Sequence, residues 1–183
     1  VQDMICHSGA SIYSNDRLLY QKKMDCNDIL RFIKVSKAYE SAIDYVIQPE
    51  GDRKYLLHKY GLFFKRIIQK ENVVFDYEPF TVTQYVNEPI HHDAIKMFLL
   101  VEDAETEKRF MNHLSEEGIL ERINVLKSGD LCFEICNRNA NKGNALEFYI
   151  ENSHIGVKNV AAIGDAENDL GKIKKSSHSF VMN

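Results

Sequence analysis

The part of this sequence best equipped for chemistry is an apolar run, Val160 to Gly164, that leads into Asp165, Glu167, Asn168 and Asp169. Carboxylate oxygens suit a hard cation such as magnesium, which accepts one or two protein carboxylates and completes its shell with water and substrate phosphate. Asp165 is the natural ligand. A plainer reading competes with this one: Asp165 and Glu167 merely favour the start of a helix, where acidic side chains meet the positive end of the dipole. A second signal is Asn141-Lys142-Gly143-Asn144, which puts a lysine at a helix start, the end a cation should avoid. That placement makes sense if the ammonium faces an anion held at the same terminus, since backbone amides and lysine both attract phosphate. An exposed surface lysine is the alternative.

The elements that must position these residues read as strand, helix and strand. From Asn141 the pattern runs through a helix (Ala145 to Asn152), a glycine (Gly156), the Val160 to Ile163 strand, an acidic loop, a further helix and a last strand, Phe180 to Met182. This is the grammar of a parallel sheet, whose ligands bind at the carboxyl ends of the strands. Upstream the grammar differs. Ile5 to Met24 reads as a strand, a glycine turn and a hairpin. Asn27 or Asp28 caps a helix with Ile29, Leu30, Phe32, Ile33 and Val35 on one face. Strands follow at 45–48 and 54–58, with an amphipathic helical stretch near 63–68. Ile95 to Val101 is a continuous apolar strand, Asp103 opens a helix that ends at Gly118, and 119–126 with 131–136 form a hairpin. The change of grammar near 137–141 marks a boundary between two parts.

Composition narrows the field. A net charge of -4 with 27% charged residues leaves no basic surplus for a nucleic-acid backbone, and no apolar run approaches the roughly 20 residues that span a bilayer. Residues 1–8 carry no signal-peptide pattern, so the cytoplasm is the expected location. The four cysteines are scattered, and free thiols are expected, with Cys132 and Cys136 on one face of a strand. His91-His92-Asp93 reads as an exposed loop without a spaced ligand pair. His7, His58 and His154 are isolated and read as packed or surface residues.

Residues 141–170, NKGNALEFYIENSHIGVKNVAAIGDAENDL, resemble the third and fourth motifs of haloacid dehalogenase superfamily phosphatases, most closely the Cof-type branch. The resemblance implies that Lys142 steadies the nucleophile and phosphate and that Asp165 is a magnesium ligand. It further implies that Asp169 supports the metal site and the lysine, and that Asn168 lies beside the phosphate. Ser8-Gly9-Ala10 with Ile12 is similar to the segment that introduces the cap of Cof-type enzymes, with Ser8 in place of the usual asparagine. Ser179 to Asn183 resembles a late core strand. The fold implied is α/β: an α+β cap (10–137) inserted in a Rossmann-like core, of which 1–9 form the strand leading to the cap and 138–183 the carboxyl-terminal part.

The family's nucleophilic Asp-x-Asp-Gly motif occurs nowhere in these residues, so the chain by itself is expected to be inert and the enzyme to be a longer polypeptide. In the family an aspartate attacks phosphorus and a second aspartate acts as acid and base. The substrates implied are small phosphorylated metabolites such as sugar phosphates. A phosphomutase of the same superfamily, or a non-catalytic binding module, remains open, and the open sheet edge of a partial core is expected to invite association.

Overall fold

Strands form where apolar residues alternate, as at Ile43, Tyr45 and Ile47, and a helix forms where they recur at helical spacing, as at Ile29, Phe32 and Ile33. The computed structural model describes residues 3–51, 55–59, 61–62, 66, 77–79, 93–153, 157–165 and 167–182. In chain order its main elements are β1 (Asp3–Cys6), β2 (Ser11–Ser14), β3 (Arg17–Gln21), α1 (Cys26–Ser36), β4 (Ile43–Pro49), β5 (Tyr55–Leu57), β6 (Tyr77–Pro79) and β7 (Ala94–Val101). They continue with α2 (Ala104–Glu116), β8 (Ile123–Gly129), β9 (Cys132–Asn137), α3 (Lys142–Asn152), β10 (Ala161–Gly164), α4 (Leu170–Lys175) and β11 (His178–Val181). The chain divides into two units, one made of Val1–Lys22 with Asn139–Asn183, the other of Lys23–Arg138. The sequence reading set its boundaries at 9/10 and 137/138; in the structure residues 10–22 pack with the first unit.

The contiguous unit, Lys23–Arg138, is a six-stranded sheet in the order β6-β5-β4-β7-β9-β8, antiparallel except for the β5–β6 pair. Helices α1 and α2 cover the face that carries Tyr45, Met97, Leu99, Phe133 and Ile135, and together they form one apolar core. Phe32 packs edge-on against both Tyr45 and Phe110, with ring centroids 5.5 and 5.6 Å apart; such pairs add to the area that aromatics bury. The opposite face holds Val46, Leu57 and Leu100, with Phe98 and Cys132 packed against them.

Some details of this unit depart from the sequence reading and others agree with it. Asp25, not Asn27 or Asp28, caps α1, its carboxylate accepting from the Asn27 amide at 2.8 Å. Asp103 caps α2 by accepting from the Thr106 amide at 2.7 Å. Gly118 takes a left-handed conformation (φ 66), after which Ile119–Glu121 make a 3-10 turn, so β8 begins only at Ile123. The expected helical stretch near 63–68 lies outside the described residues except for Arg66, and His91 and His92 lie outside them altogether. All four cysteines are free, and burial pushes the Cys136 thiol up to about 11. His58 stacks flat on Tyr45, with its Nδ1 3.6 Å from buried Asp44. At the end of the unit the Asn137 side-chain amide donates to the Lys23 carbonyl at 2.7 Å, tying the two chain ends together.

The discontinuous unit combines an antiparallel meander, β1-β2-β3, with a parallel pair, β10 and β11, connected through α4. Two aromatic contacts join its separate segments: Tyr149 of α3 donates to Asp3 of β1, and Tyr20 packs on Phe148 with centroids 4.7 Å apart. The last strand runs over His178–Val181, beginning two residues before the expected Phe180.

Candidate active site

Asn141 begins α3 in an extended conformation and its side-chain oxygen accepts from the Asn144 amide at 2.8 Å, so Lys142 is the first helical residue. The helix start is held where side chains would not fit. A Cβ on Gly143 would lie 2.7 Å from the Gly171 carbonyl, so α3 and α4 meet backbone to backbone at this point. A Cβ on Gly9, which has φ +95, would lie 2.2 Å from the Asn141 carbonyl, and only glycine is at ease in that combination. The Ser8–Gly9 turn therefore seats directly on the start of α3.

Strand β10 ends at Gly164, and Asp165 and Asp169 follow in the loop at its carboxyl end. Asp169 is 4% exposed. Its Oδ1 accepts from Lys142 Nζ at 2.6 Å and from Lys172 Nζ at 2.9 Å, while Oδ2 accepts from the Asp165 amide at 3.3 Å. Burial alone would raise the Asp169 pKa, but the two lysine hydrogen bonds and the amide outweigh it. They hold the carboxyl well below the usual carboxylate range. Asp165 projects an exposed carboxylate, and the half-buried Asn168 carries a buried Oδ1 with no hydrogen-bond partner among the described residues. A buried carbonyl without a donor costs free energy, on the order of 1–3 kcal/mol, and is a place to look for a ligand.

The structure thus brings Lys142 and Asp169 together, places Asp165 one hydrogen bond from Asp169, and leaves Asn168 in the same loop. Lys172 is the residue the sequence reading missed. Its signal was the three-residue spacing from Asp169, which puts two side chains on one helix face. Lys142 and Lys172 line a cavity of about 320 Å³ whose other walls include Ser8, Gly9, Ile5, Leu146 and Ile163.

As a cation site the donors fit in part. Asp165 and the Asn168 carbonyl are hard oxygen donors of the kind magnesium takes in small number, the rest of its shell being water and phosphate. The oxygens of Asp169 are already engaged by two ammoniums and an amide, so Asp169 serves the lysines. Among the described residues no group of three or more acidic, histidine or cysteine side chains is arranged to hold a metal.

The sequence profile of the haloacid dehalogenase-like hydrolases matches residues 1–183. The chain belongs to that family. A Mycoplasma genitalium protein named as a phosphatase is 37% identical over 62 residues, 34% of this chain and 22% of that protein. A Streptococcus mutans structure superposes with a TM-score of 0.77 at 21% identity, over 98% of this chain and 65% of its own. A haloacid dehalogenase-like hydrolase from B. subtilis gives a TM-score of 0.74 at 16% identity, over 98% of this chain and 68% of its own. A structure described as a subclass IIB sugar phosphatase gives 0.77 at 12% identity, over 100% of this chain and 64% of its own. These likenesses establish the α/β fold of the family and agree with the Cof-type resemblance of residues 141–170. The chain therefore spans about a fifth of its curated relative and about two thirds of these structures.

Proposed function

We propose that this chain supplies the phosphate- and metal-binding half of a magnesium-dependent phosphohydrolase acting on small phosphorylated metabolites, sugar phosphates among them, in the cytoplasm. The carrying observation is the Lys142–Asp169 ion pair at the carboxyl end of a parallel strand, beside a cavity with apolar walls. Asp169 orients the Lys142 ammonium, and Lys142 attracts the phosphate and the aspartate that attacks it. Asn168 offers its carbonyl to the same cluster of groups. Magnesium held by Asp165 would supply charge neutralisation of the transferring phosphoryl group. The aspartate that forms the aspartyl-phosphate lies outside these residues. No helix of the described residues is long and apolar enough to cross a membrane.

The test is magnesium-dependent release of phosphate from para-nitrophenyl phosphate by the gene's full translation product. Turnover that falls by two orders of magnitude or more in K142A and D165A supports the reading. A full product that lacks Asp-x-Asp and shows no turnover overturns it in favour of a binding module. Phosphate retained on a sugar product would identify a phosphomutase.

A further inference from the structure

Lys142 is the lysine that the family resemblance singles out, yet it shares its partner. A second ammonium, from Lys172, sits on the same carboxylate oxygen, 2.9 Å away against 2.6 Å for Lys142. Two cations against one buried carboxylate leave a positive charge uncompensated among the three groups. They also bring like charges to one atom, an arrangement that an anion between the ammoniums relieves. Both lysines are a little over a quarter exposed, at 29% and 28%, and both line the same cavity. Its remaining walls are largely apolar: Ile5, Leu146, Val160, Ala161, Ala162 and Ile163. Ser8, in the left-handed region at φ 57, lines the cavity beside Gly9. Such backbone strain concentrates where a fold presents groups to a ligand.

We propose that Lys172 is a second anion-binding residue of this site, and that Lys142 and Lys172 together hold the phosphate dianion of the substrate or product, with Asp169 setting the spacing of the pair. The proposal rests on the phosphohydrolase reading above for the identity of the anion. It adds a cation three positions before the end of α4, on a helix whose other lysines, Lys174 and Lys175, are exposed. Ammonium–phosphate hydrogen bonds are charge-assisted and weaken as salt screens them.

The experiment is calorimetric titration of inorganic phosphate into the 183-residue chain and its K172M, K172R and K142M variants at two ionic strengths, with thermal midpoints recorded for each. K172M is expected to bind phosphate roughly tenfold to a hundredfold more weakly than the parent, K172R within a few-fold of it, at little change in midpoint. Equal binding by K172M and the parent overturns the proposal and leaves Lys172 as a counter-charge to Asp169. Failure of the parent itself to bind phosphate overturns both this proposal and the phosphate reading of the cavity. Should K172M not fold, phosphate titration of the unsubstituted chain followed on lysine ε-carbon resonances decides the matter. Lys142 and Lys172 moving together supports the pair, and Lys142 moving alone refutes it.

Discussion

The two units of this chain bury their apolar residues very differently. In Lys23–Arg138 the core contains fully buried Phe32, Tyr45, Phe110, Met97 and Leu99 between one sheet and two helices. In the discontinuous unit the buried hydrophobics among the described residues are Ala10, Ile12, Ala140, Ala145 and Ala162. Its larger apolar side chains face outward: Met4, Ile5, Leu18, Leu19, Ile163, Leu170, Phe180, Val181 and Met182 are all exposed, and the other unit exposes no comparable side chain among the described residues. Parallel sheets are normally covered on both faces. In the unit that carries Lys142, Asp165 and Asp169, close backbone approach, ion pairs and the Tyr20–Phe148 contact accompany a few small buried side chains, whereas the other unit has an extended hydrophobic core.

The largest expected effect falls on the well-packed side. Phe110→Ala should destabilise the Lys23–Arg138 unit by about 3–5 kcal/mol, read as a shift in its denaturant midpoint. An equal loss of protection at Lys142 and Asp169 would show that the units do not unfold separately. Gly143→Ala sharpens the contrast from the other side. Its methyl group forces α3 and α4 apart, and we expect a loss of about 1–3 kcal/mol confined to the discontinuous unit, with phosphate affinity reduced.

Acid titration and Asp169→Asn test the ion pairs of the discontinuous unit. The lysine and amide hydrogen bonds hold the folded-state pKa of Asp169 below that of an unfolded aspartate, so its stabilisation is fully present above the unfolded pKa and is lost as the pH falls through it towards the folded-state pKa. The discontinuous unit should lose stability below about pH 4 in the parent, and Asp169→Asn should remove about 1–2 kcal/mol at neutral pH and flatten the acid limb. An acid limb unchanged by the substitution would assign it to other carboxylates. The smallest effect belongs to Phe180→Ser. At 62% exposure its replacement should change folding stability by no more than about 0.5 kcal/mol while reducing any self-association seen by light scattering.

Local pattern made much of this legible. The apolar run of β7, the spacing of α1, the Asp103 cap of α2 and the acidic loop after β10 are all written within a dozen residues. What was hidden depends on distance along the chain. Residues 10–22 pack with α3 through contacts such as Tyr20–Phe148, which no periodicity reveals, and the expected boundary at residue 10 followed from reading the hairpin as part of the next unit. Lys172 escaped notice because its partnership with Asp169 appears only once α4 is known to begin at Leu170. The 3-10 turn at Ile119–Glu121 carries no mark of its own in the sequence, because Ile119 and Leu120 merely extend the apolar character of the strand that starts at Ile123.

The route of the chain also sets an order of assembly. Bringing residues 3–22 to α3 across an unfolded stretch costs closure entropy that grows with the logarithm of the intervening length. Lys23–Arg138 is contiguous and has no such debt. Once it has folded, the Asn137–Lys23 hydrogen bond delivers both severed ends of the other unit from one place, and the long closure becomes a short one. Amide protection is expected to appear in the contiguous unit first, and the lysines and aspartates of the site are the last groups to find one another.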